Sequence, residues 1–270
     1  MSAIDATTMQ RALPTTKRRW SKQRDFFALI VRNRLALAGL IIILAYLFLA
    51  IFASLVAPHD PNFQVSSEAL QSPSWNHLFG TDNVGRDTLS RVIYGTRVSL
   101  FVGVTSMALA AIIGVPLGLI SGYFGGTTDT VIMRGIDTLL AFPALLLAIF
   151  IVAVLGPSLS NAILAIGIIY IPGFARLTRA STLSLRESEF VEAAHCMGAS
   201  NRRIMVRSIL PNCASSLIVQ FTLGVGYAML VEAGLSFLGL GIQPPTPAWG
   251  QMVGLARNYI TIAPWLITFP

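Results

Sequence analysis

The stretch "LALAGLIIILAYLFLAIFASLVA", residues 35–57, contains no charged residue and decides the class of fold. A helix of about 20 apolar residues crosses the hydrocarbon core of a bilayer, so this stretch predicts a first transmembrane helix. The whole chain agrees: of its 270 residues, 54% are hydrophobic and only 11% are charged. A soluble domain carries about 25% charged residues. The sequence therefore predicts an all-α integral membrane protein surrounded by lipid.

Further apolar segments predict more spans. The uncharged residues from 98 contain a second span that ends near Ile120. The long run that follows is interrupted by the turn residues "GPSLSN" (156–161), which predicts a third span at about 131–155 and a fourth at about 162–178. Residues 208–231 predict a fifth, and "APWLITFP" (263–270) predicts the entry to a sixth. We expect five complete spans and the beginning of a sixth.

Basic residues indicate which side each loop occupies. Of the 19 Lys and Arg residues, eight precede the first apolar run and six lie at 176–207. Short Lys/Arg-rich segments are retained in the cytoplasm, so both clusters indicate the inner side. This distribution accounts for the net charge of +7 without a nucleic-acid partner. It predicts a cytoplasmic basic tail (1–34), a first transmembrane helix (35–57), an extracytoplasmic loop with a short amphipathic helix at 86–97 (58–97) and a membrane core (98–270).

The largest internal cytoplasmic loop, 179–211, includes most of the polar segment "EFVEAAHCMGASNRRIMVRSILPN" (189–212). Its spacing predicts a helix, an interruption at Gly198, a second helix capped by Ser200 and Asn201, and a fifth span that begins at Pro211. Its small residues would let another protein approach closely, and its arginines would donate hydrogen bonds to a partner's carboxylates. These candidate docking residues are Ala193, Ala194, Gly198, Ala199, Arg202 and Arg203. A solvated basic loop is the simpler alternative.

Several motifs resemble one known family. Glu192-Ala193-Ala194, then Gly198, then Leu210-Pro211 is similar to the EAA motif of ABC importer permeases, with Ser208 where an Ile is usual. The segments "HLFGTDNVGRDTLSRVIYGTRVSL" (77–100), "GLISGYFGG" (118–126), "FLGLGIQPPTPAWG" (237–250) and "WLITFP" (265–270) resemble the C-type permease subunit of dipeptide and oligopeptide importers. Together these segments extend the resemblance over nearly all of residues 30–270.

The resemblance implies a type I ABC importer permease fold, with the EAA loop as a coupling helix seated in a cytoplasmic ATPase. It implies a homologous second permease, two ATPase domains that hold ATP and Mg, an extracytoplasmic peptide-binding protein, and transport by alternating access. In this family the chain continues through a sixth helix, so we expect a chain ending at Pro270 to be truncated or incomplete. Peptide is the expected cargo; nickel or another solute of the same family is the alternative.

Other functions require residues that this sequence lacks. A P-loop needs a glycine-rich segment followed by Lys, and the two lysines, Lys17 and Lys22, lie in a tail without glycines. A self-sufficient secondary transporter would need central charges or broken helices, and an intramembrane enzyme would need a nucleophile motif or metal ligands. The cysteines Cys196 and Cys213 are expected to be free thiols. The three histidines are isolated in sequence (His59, His77 and His195), so we expect no metal site and no catalytic residue.

Three more groups of residues are candidates for packing or for the transport path. Gly114, Gly118, Gly122 and Gly126 recur every four residues and predict one smooth stripe for close helix packing. Asp137 is expected to pair with Arg134 three residues earlier, and Glu232 to end the fifth span near the outer face, where it would meet substrate, a binding protein or water. The external turn that contains Asp82, Arg86 and Asp87 would cap the following helix or dock the binding protein.

Overall fold

The computed structural model describes residues 33–270, whose regular secondary structure is helical. Within these residues there is no β-strand beyond one isolated bridge between Thr81 and Asp87. The α-helices are α1 (Arg34–Val56), α2 (Thr88–Phe124), α3 (Gly126–Leu140), α4 (Ala144–Leu155), α5 (Leu159–Arg186), α6 (Glu189–Cys196), α7 (Asn201–Phe237), α8 (Trp249–Ala256) and α9 (Trp265–Thr268). The predicted all-α class is confirmed. The basic tail predicted at 1–34 lies almost entirely outside the described residues.

The first helix agrees with the apolar run that predicted it. Asn33 caps α1, because its side-chain oxygen accepts hydrogen bonds from the backbone N–H groups of Leu35 at 3.1 Å and Ala36 at 3.3 Å. The described chain divides into two compact units, one ending at Phe48 and the other comprising Leu49–Pro270. The helices described below belong to the second unit.

The second span is longer than the sequence indicated. The amphipathic helix predicted at 86–97 and the span predicted from 98 form one continuous helix, α2, of 37 residues. No glycine–proline break separates the two parts, so nothing ends the helix between them. Asp87 caps its first turn by accepting a hydrogen bond from the Ser90 N–H at 2.8 Å, which confirms the predicted capping role of the external turn.

The predicted third span is not one helix. It is divided into α3 and α4, which meet at a bend of 85°. The break precedes Pro143, which has no N–H to donate and disfavours helical backbone at Phe142. Within residues 33–270, four helices are long and apolar enough to cross a membrane, and five if the bent pair counts as one span.

The core lies between α2, α5 and α7, with α4 against it. Its fully buried side chains include Val102 and Met107 from α2, Ile166 from α5 and Leu235 from α7. Many large apolar side chains instead point outward, such as Ile112 (71% exposed) and Leu230 (70%). A soluble protein rarely exposes such continuous apolar surface, and a lipid-facing surface accounts for it.

Three of the four candidate glycines form the predicted packing stripe. A Cβ atom on Gly114 would lie 2.7 Å from the carbonyl oxygen of Ile171, and one on Gly122 would lie 2.8 Å from that of Arg179. Gly118 faces the backbone of Ala175 in the same way. Only glycine permits this approach of α2 to α5. Gly126 does not belong to the stripe, because α2 ends at Phe124 and Gly126 begins α3 with a φ of +55° and open space around it.

Candidate functional site

The segment between α5 and α7 forms the predicted helix–turn–helix. Helix α6 ends at a turn in which Gly198 adopts a φ of +75°. The Gly198 N–H donates to the His195 carbonyl at 2.9 Å, and the Ala199 N–H donates to the Ala194 carbonyl at 3.0 Å. These two bonds are a Schellman motif, which requires the left-handed conformation that glycine adopts at low cost. The second helix differs from the prediction, because α7 continues without interruption into the fifth span and Ser200 forms no side-chain cap.

The inner face of this segment is anchored to the membrane helices. Val191 of α6 and Ile204 and Ile209 of α7 are buried against Leu119 of α2 and Cys213. Ile204 and Ile209 bound a π-helical stretch, a wider turn often found at functional sites. Ala194 and Ala199 pack partly against this cluster. The predicted small-residue face is therefore divided: Ala194 and Ala199 face mainly inward, while Ala193 and Gly198 are exposed.

The outer face of the segment carries both charged and apolar side chains. Glu192, Arg202 and Arg203 are exposed, as is Pro211, whereas Leu210 is half-buried. Two large apolar side chains, which the sequence reasoning missed, are exposed on the same segment: Phe190 (43%) and Met197 (81%). Exposed apolar side chains surrounded by polar ones are typical of a protein-binding surface. We call Phe190, Glu192, Ala193, Met197 and Gly198 the α6 surface.

A hydrogen-bond network links the α6 segment to α2. The Tyr123 hydroxyl donates to the side-chain oxygen of Asn201 at 3.0 Å and lies 3.1 Å from Nε2 of His195. The Arg186 guanidinium donates to the Tyr123 carbonyl at 3.1 Å. Tyr123 is only 7% exposed, whereas His195 and Asn201 are exposed, so these bonds lie at the edge of the buried cluster. These bonds join the α6 segment to the end of α2.

Two ion pairs join α3 to α5. Asp129 and Arg179 form a bidentate pair with two N–O distances of 2.6 Å. Asp137 pairs with Arg176 at 2.6 Å, so the predicted pair of Asp137 with Arg134 is wrong. An i,i+3 pair uses only one helix, whereas α5 packs against α3 and brings a second arginine within reach of the carboxylate. The long separation of Asp137 and Arg176 in the sequence hid this contact.

Glu232 does not lie at a water-exposed helix end. Glu232 belongs to α7, and its side chain is fully buried. The Ser236 hydroxyl donates to one of its carboxylate oxygens at 2.6 Å, and the Ser99 hydroxyl of α2 donates to the other at 3.5 Å. Contact with water or with an external binding protein is therefore excluded in this arrangement. The helix extends five residues beyond Glu232, to Phe237, and α8 packs against it.

The external turn directs its charges inward. Asp82 accepts hydrogen bonds from the Val84 and Arg86 N–H groups at 3.0 and 2.9 Å, and its other oxygen pairs with the Arg86 guanidinium at 2.6 Å. Arg86 is 6% exposed and Asp87 2%. Docking of a binding protein through these side chains does not fit this burial, because they are already paired within the loop.

The fold also assembles a cluster that the sequence reasoning missed. His59 and His77, expected to be isolated, lie with Asp87 so that one potential metal-ligand atom from each falls within 4.8 Å of the others. The three residues come from separate parts of the 58–97 loop, so no short motif revealed them. The cysteines behave as expected: Cys196 is exposed, Cys213 is buried, and both are free thiols.

Comparison with known families agrees with this architecture of packed membrane helices and an exposed surface helix. Residues 114–270 match the family described as binding-protein-dependent transport system inner membrane component. Residues 21–73 match the N-terminal TM domain of oligopeptide transport permease C. The fold and the surface helix thus define a multi-pass membrane permease. The chain belongs to the family of inner-membrane components of binding-protein-dependent transport systems, ABC permeases whose ATPase activity lies in separate subunits.

Individual relatives and one solved structure are consistent with this membership. The dipeptide transport system permease protein DppC of Alkalihalophilus pseudofirmus is 49% identical over 93% of this chain and 82% of its own. The corresponding DppC protein of Haemophilus influenzae is 46% identical over 92% and 86%. An inward-facing structure of the MetNI methionine ABC transporter shares the fold with a TM-score of 0.55 at 19% identity, over 67% of this chain and 86% of its own.

Proposed function

We propose that this chain is a permease subunit of an ATP-driven importer of dipeptides or oligopeptides, and that the α6 surface is where a cytoplasmic ATPase binds. The observation that carries the proposal is the exposure of Phe190, Glu192 and Met197 on the α6 surface, while the opposite face of α6 is buried against α2 and α7. A loop that only contacts solvent does not account for Met197, whose apolar side chain is 81% exposed at the turn. The dipeptide permeases among its relatives support the cargo class.

The proposal includes the arrangement in the membrane. The N-terminus and the α6 surface lie on the cytoplasmic side, where the Lys/Arg-rich segments of a membrane protein are retained. The bent pair of α3 and α4 counts as one crossing, which gives five complete spans, and α9 (Trp265–Thr268) begins a sixth. The turn with Gly80 and Gly85 and the α8 segment then lie on the outer side.

The proposed assembly contains a homologous second permease, two ATPase domains and an extracytoplasmic peptide-binding protein. ATP and Mg are held by the ATPase domains. When these domains close, a force on α6 would pass through Tyr123 and its partners to α2, and from there through the glycine stripe to α5. Rigid helices moving as units would then open the path alternately to either side.

The test reverses one exposed charge on the α6 surface. Glu192→Lys should abolish uptake of a labelled dipeptide and the copurification of ATPase subunits, while the amount of permease in the membrane stays unchanged. Glu187→Lys is the matched control, because Glu187 is also exposed but lies outside α6. Normal uptake by the Glu192→Lys variant would contradict the proposed docking role, and reconstituted uptake by this chain alone would contradict an ATP-driven importer.

A further inference from the structure

The loop between α1 and α2 contains two histidines and a buried carboxylate at one point. His59 follows α1, His77 lies in the middle of the loop, and Asp87 caps α2. The His77 Nδ1 atom lies 2.9 Å from one carboxylate oxygen of Asp87, and the His59 Nδ1 atom lies 3.8 Å from the other. The two imidazole rings lie 4.9 Å apart between centroids.

We propose that His59, His77 and Asp87 bind one divalent transition-metal cation of the Zn²⁺ class, which fastens the segment after α1 to the beginning of α2. Ligand atoms about 2.0–2.2 Å from a tetrahedral Zn²⁺ lie about 3.4 Å from one another. The His77 Nδ1 atom lies 2.9 Å from the Asp87 oxygen that faces it, and one ligand atom from each of the three residues lies within 4.8 Å of the others, so rotations of the side chains bring the three to this spacing.

The ligands are held in place by their own hydrogen bonds. One oxygen of Asp87 accepts from the Ser90 N–H at 2.8 Å and from the Ser90 hydroxyl at 2.7 Å, which leaves the other oxygen directed at His77. The same hydroxyl accepts from the His59 N–H at 3.0 Å. Ser90 thus fixes the backbone of one ligand and the side chain of another, and a preorganised site binds with less loss of entropy.

A second carboxylate lies in the position of an outer partner. Glu68 Oε2 is 3.4 Å from Nε2 of His77, on the opposite side of the imidazole from Asp87. Metal-binding histidines usually donate their other N–H to a carboxylate, which fixes the tautomer and makes the ligand more basic. The Glu68 side chain is 40% exposed, so it has room to shorten this distance.

The donor set and its exposure select the kind of cation. Two imidazoles and one carboxylate suit Zn²⁺, Ni²⁺ or Cu²⁺, whereas Mg²⁺ and Ca²⁺ prefer oxygen ligands alone. The His77 and Asp87 side chains are 9% and 1% exposed, but that of His59 is 44% exposed. A cation therefore enters beside His59, and water completes its coordination there.

The competing interpretation is a simple hydrogen bond from His77 to Asp87, with His59 as an uninvolved neighbour. The two interpretations differ at His59, which contributes to binding only if a cation is held. His59 is also the most exposed member of the cluster, so its substitution leaves the fold intact.

The test measures Zn²⁺ binding to the full chain, purified in detergent with a tag that lacks histidine. Competition with a chromophoric chelator should give one Zn²⁺ per chain. H59A should weaken the affinity at least about tenfold. D87N should weaken it similarly, while the Asn oxygen still caps α2. The control is the double variant H195A/C196S, which removes the other adjacent imidazole and thiol of the chain and should bind as the unsubstituted protein does.

Co²⁺ provides an independent readout of the same site. It should give the intense visible absorption of a tetrahedral complex, and this absorption should disappear in H59A. Three results would each overturn the proposal: no Zn²⁺ bound by the unsubstituted chain, an affinity in H59A and D87N equal to that of the unsubstituted chain, or loss of binding only in H195A/C196S. Circular dichroism of each variant verifies that its helices are intact.

Discussion

Two polar segments, the loop before α2 and the α6 segment near the other end of α2, differ in the burial of their charged side chains. In the loop before α2, Arg86 is 6% exposed and Asp87 2%. In the segment beside its other end, Glu192, Arg202 and Arg203 all face solvent. Both segments are rich in charges and turn residues, and the sequence made each of them a candidate for docking another protein. Burial separates them: the charges of the first are paired within the loop, and those of the second are exposed and available to a partner.

The largest effect is expected where a buried charge loses its partner. Asp82→Ala would leave the Arg86 guanidinium buried and unpaired, which costs about 3–5 kcal/mol. We expect little folded protein in the membrane. Glu192→Ala removes a carboxylate of the same charge from an exposed position, where the change is within about 0.5 kcal/mol. The melting temperatures of the Asp82→Ala and Glu192→Ala variants can be compared by thermal melting followed by size-exclusion chromatography. Equal melting temperatures would refute the contrast between the two segments.

A smaller effect is expected where the α6 segment meets α2. Tyr123→Phe removes the hydroxyl that contacts His195 and Asn201, at a cost of about 1 kcal/mol for each hydrogen bond. The variant should remain folded and should still copurify with the ATPase, but uptake per ATP hydrolysed should fall. Tyr227→Phe is the control, since Tyr227 is 61% exposed on α7. Unchanged coupling in Tyr123→Phe would show that the force takes another route.

Much of this architecture was accessible from the sequence, because hydrophobic run length and capping act locally. The residues 35–57 predicted α1 within one residue at each end, and Asp87 was expected to cap a helix. Three of the errors share one cause. Arg176 beside Asp137, Ser99 beside Glu232 and His59 beside His77 are contacts between residues far apart in the chain. No local sequence pattern predicts such contacts, because they form only when helices and loops pack against one another.

The bend at Pro143 is a different kind of error. The sequence 131–155 is apolar enough for one span, and run length alone cannot distinguish a straight helix from a bent pair. Pro143 was the available signal, since proline disfavours helical backbone at the residue before it. The sequence contained a weaker signal for the exposure of Phe190 and Met197, because these are large apolar residues in a segment that was otherwise predicted to face water.

The turn at Gly198 tests whether the shape of the α6 segment matters as well as its charges. Gly198→Ala places a Cβ in open space but in a left-handed conformation, which costs about 1 kcal/mol. Gly226→Ala is the control, because Gly226 lies inside α7 with nothing within 4 Å and should gain about 0.5–1 kcal/mol. We expect a lower melting temperature and weaker ATPase association only in Gly198→Ala. A fall in both variants would indicate general sensitivity of the helices, not a requirement for the turn.

The smallest effect on stability, and the sharpest on docking, is expected at Met197. Its side chain is 81% exposed, so Met197→Ser should change the free energy of unfolding by no more than about 0.5 kcal/mol. If the ATPase buries this side chain, the substitution removes about 1.5–3 kcal/mol from binding, a loss of tenfold or more in affinity. Phe63→Ser is the matched control in the other segment, where Phe63 is 67% exposed. Titration of solubilised permease with the ATPase separates the cases: loss in Met197→Ser alone means that the exposed apolar residue is a contact, whereas equal affinity in both variants leaves the charges as the whole interface.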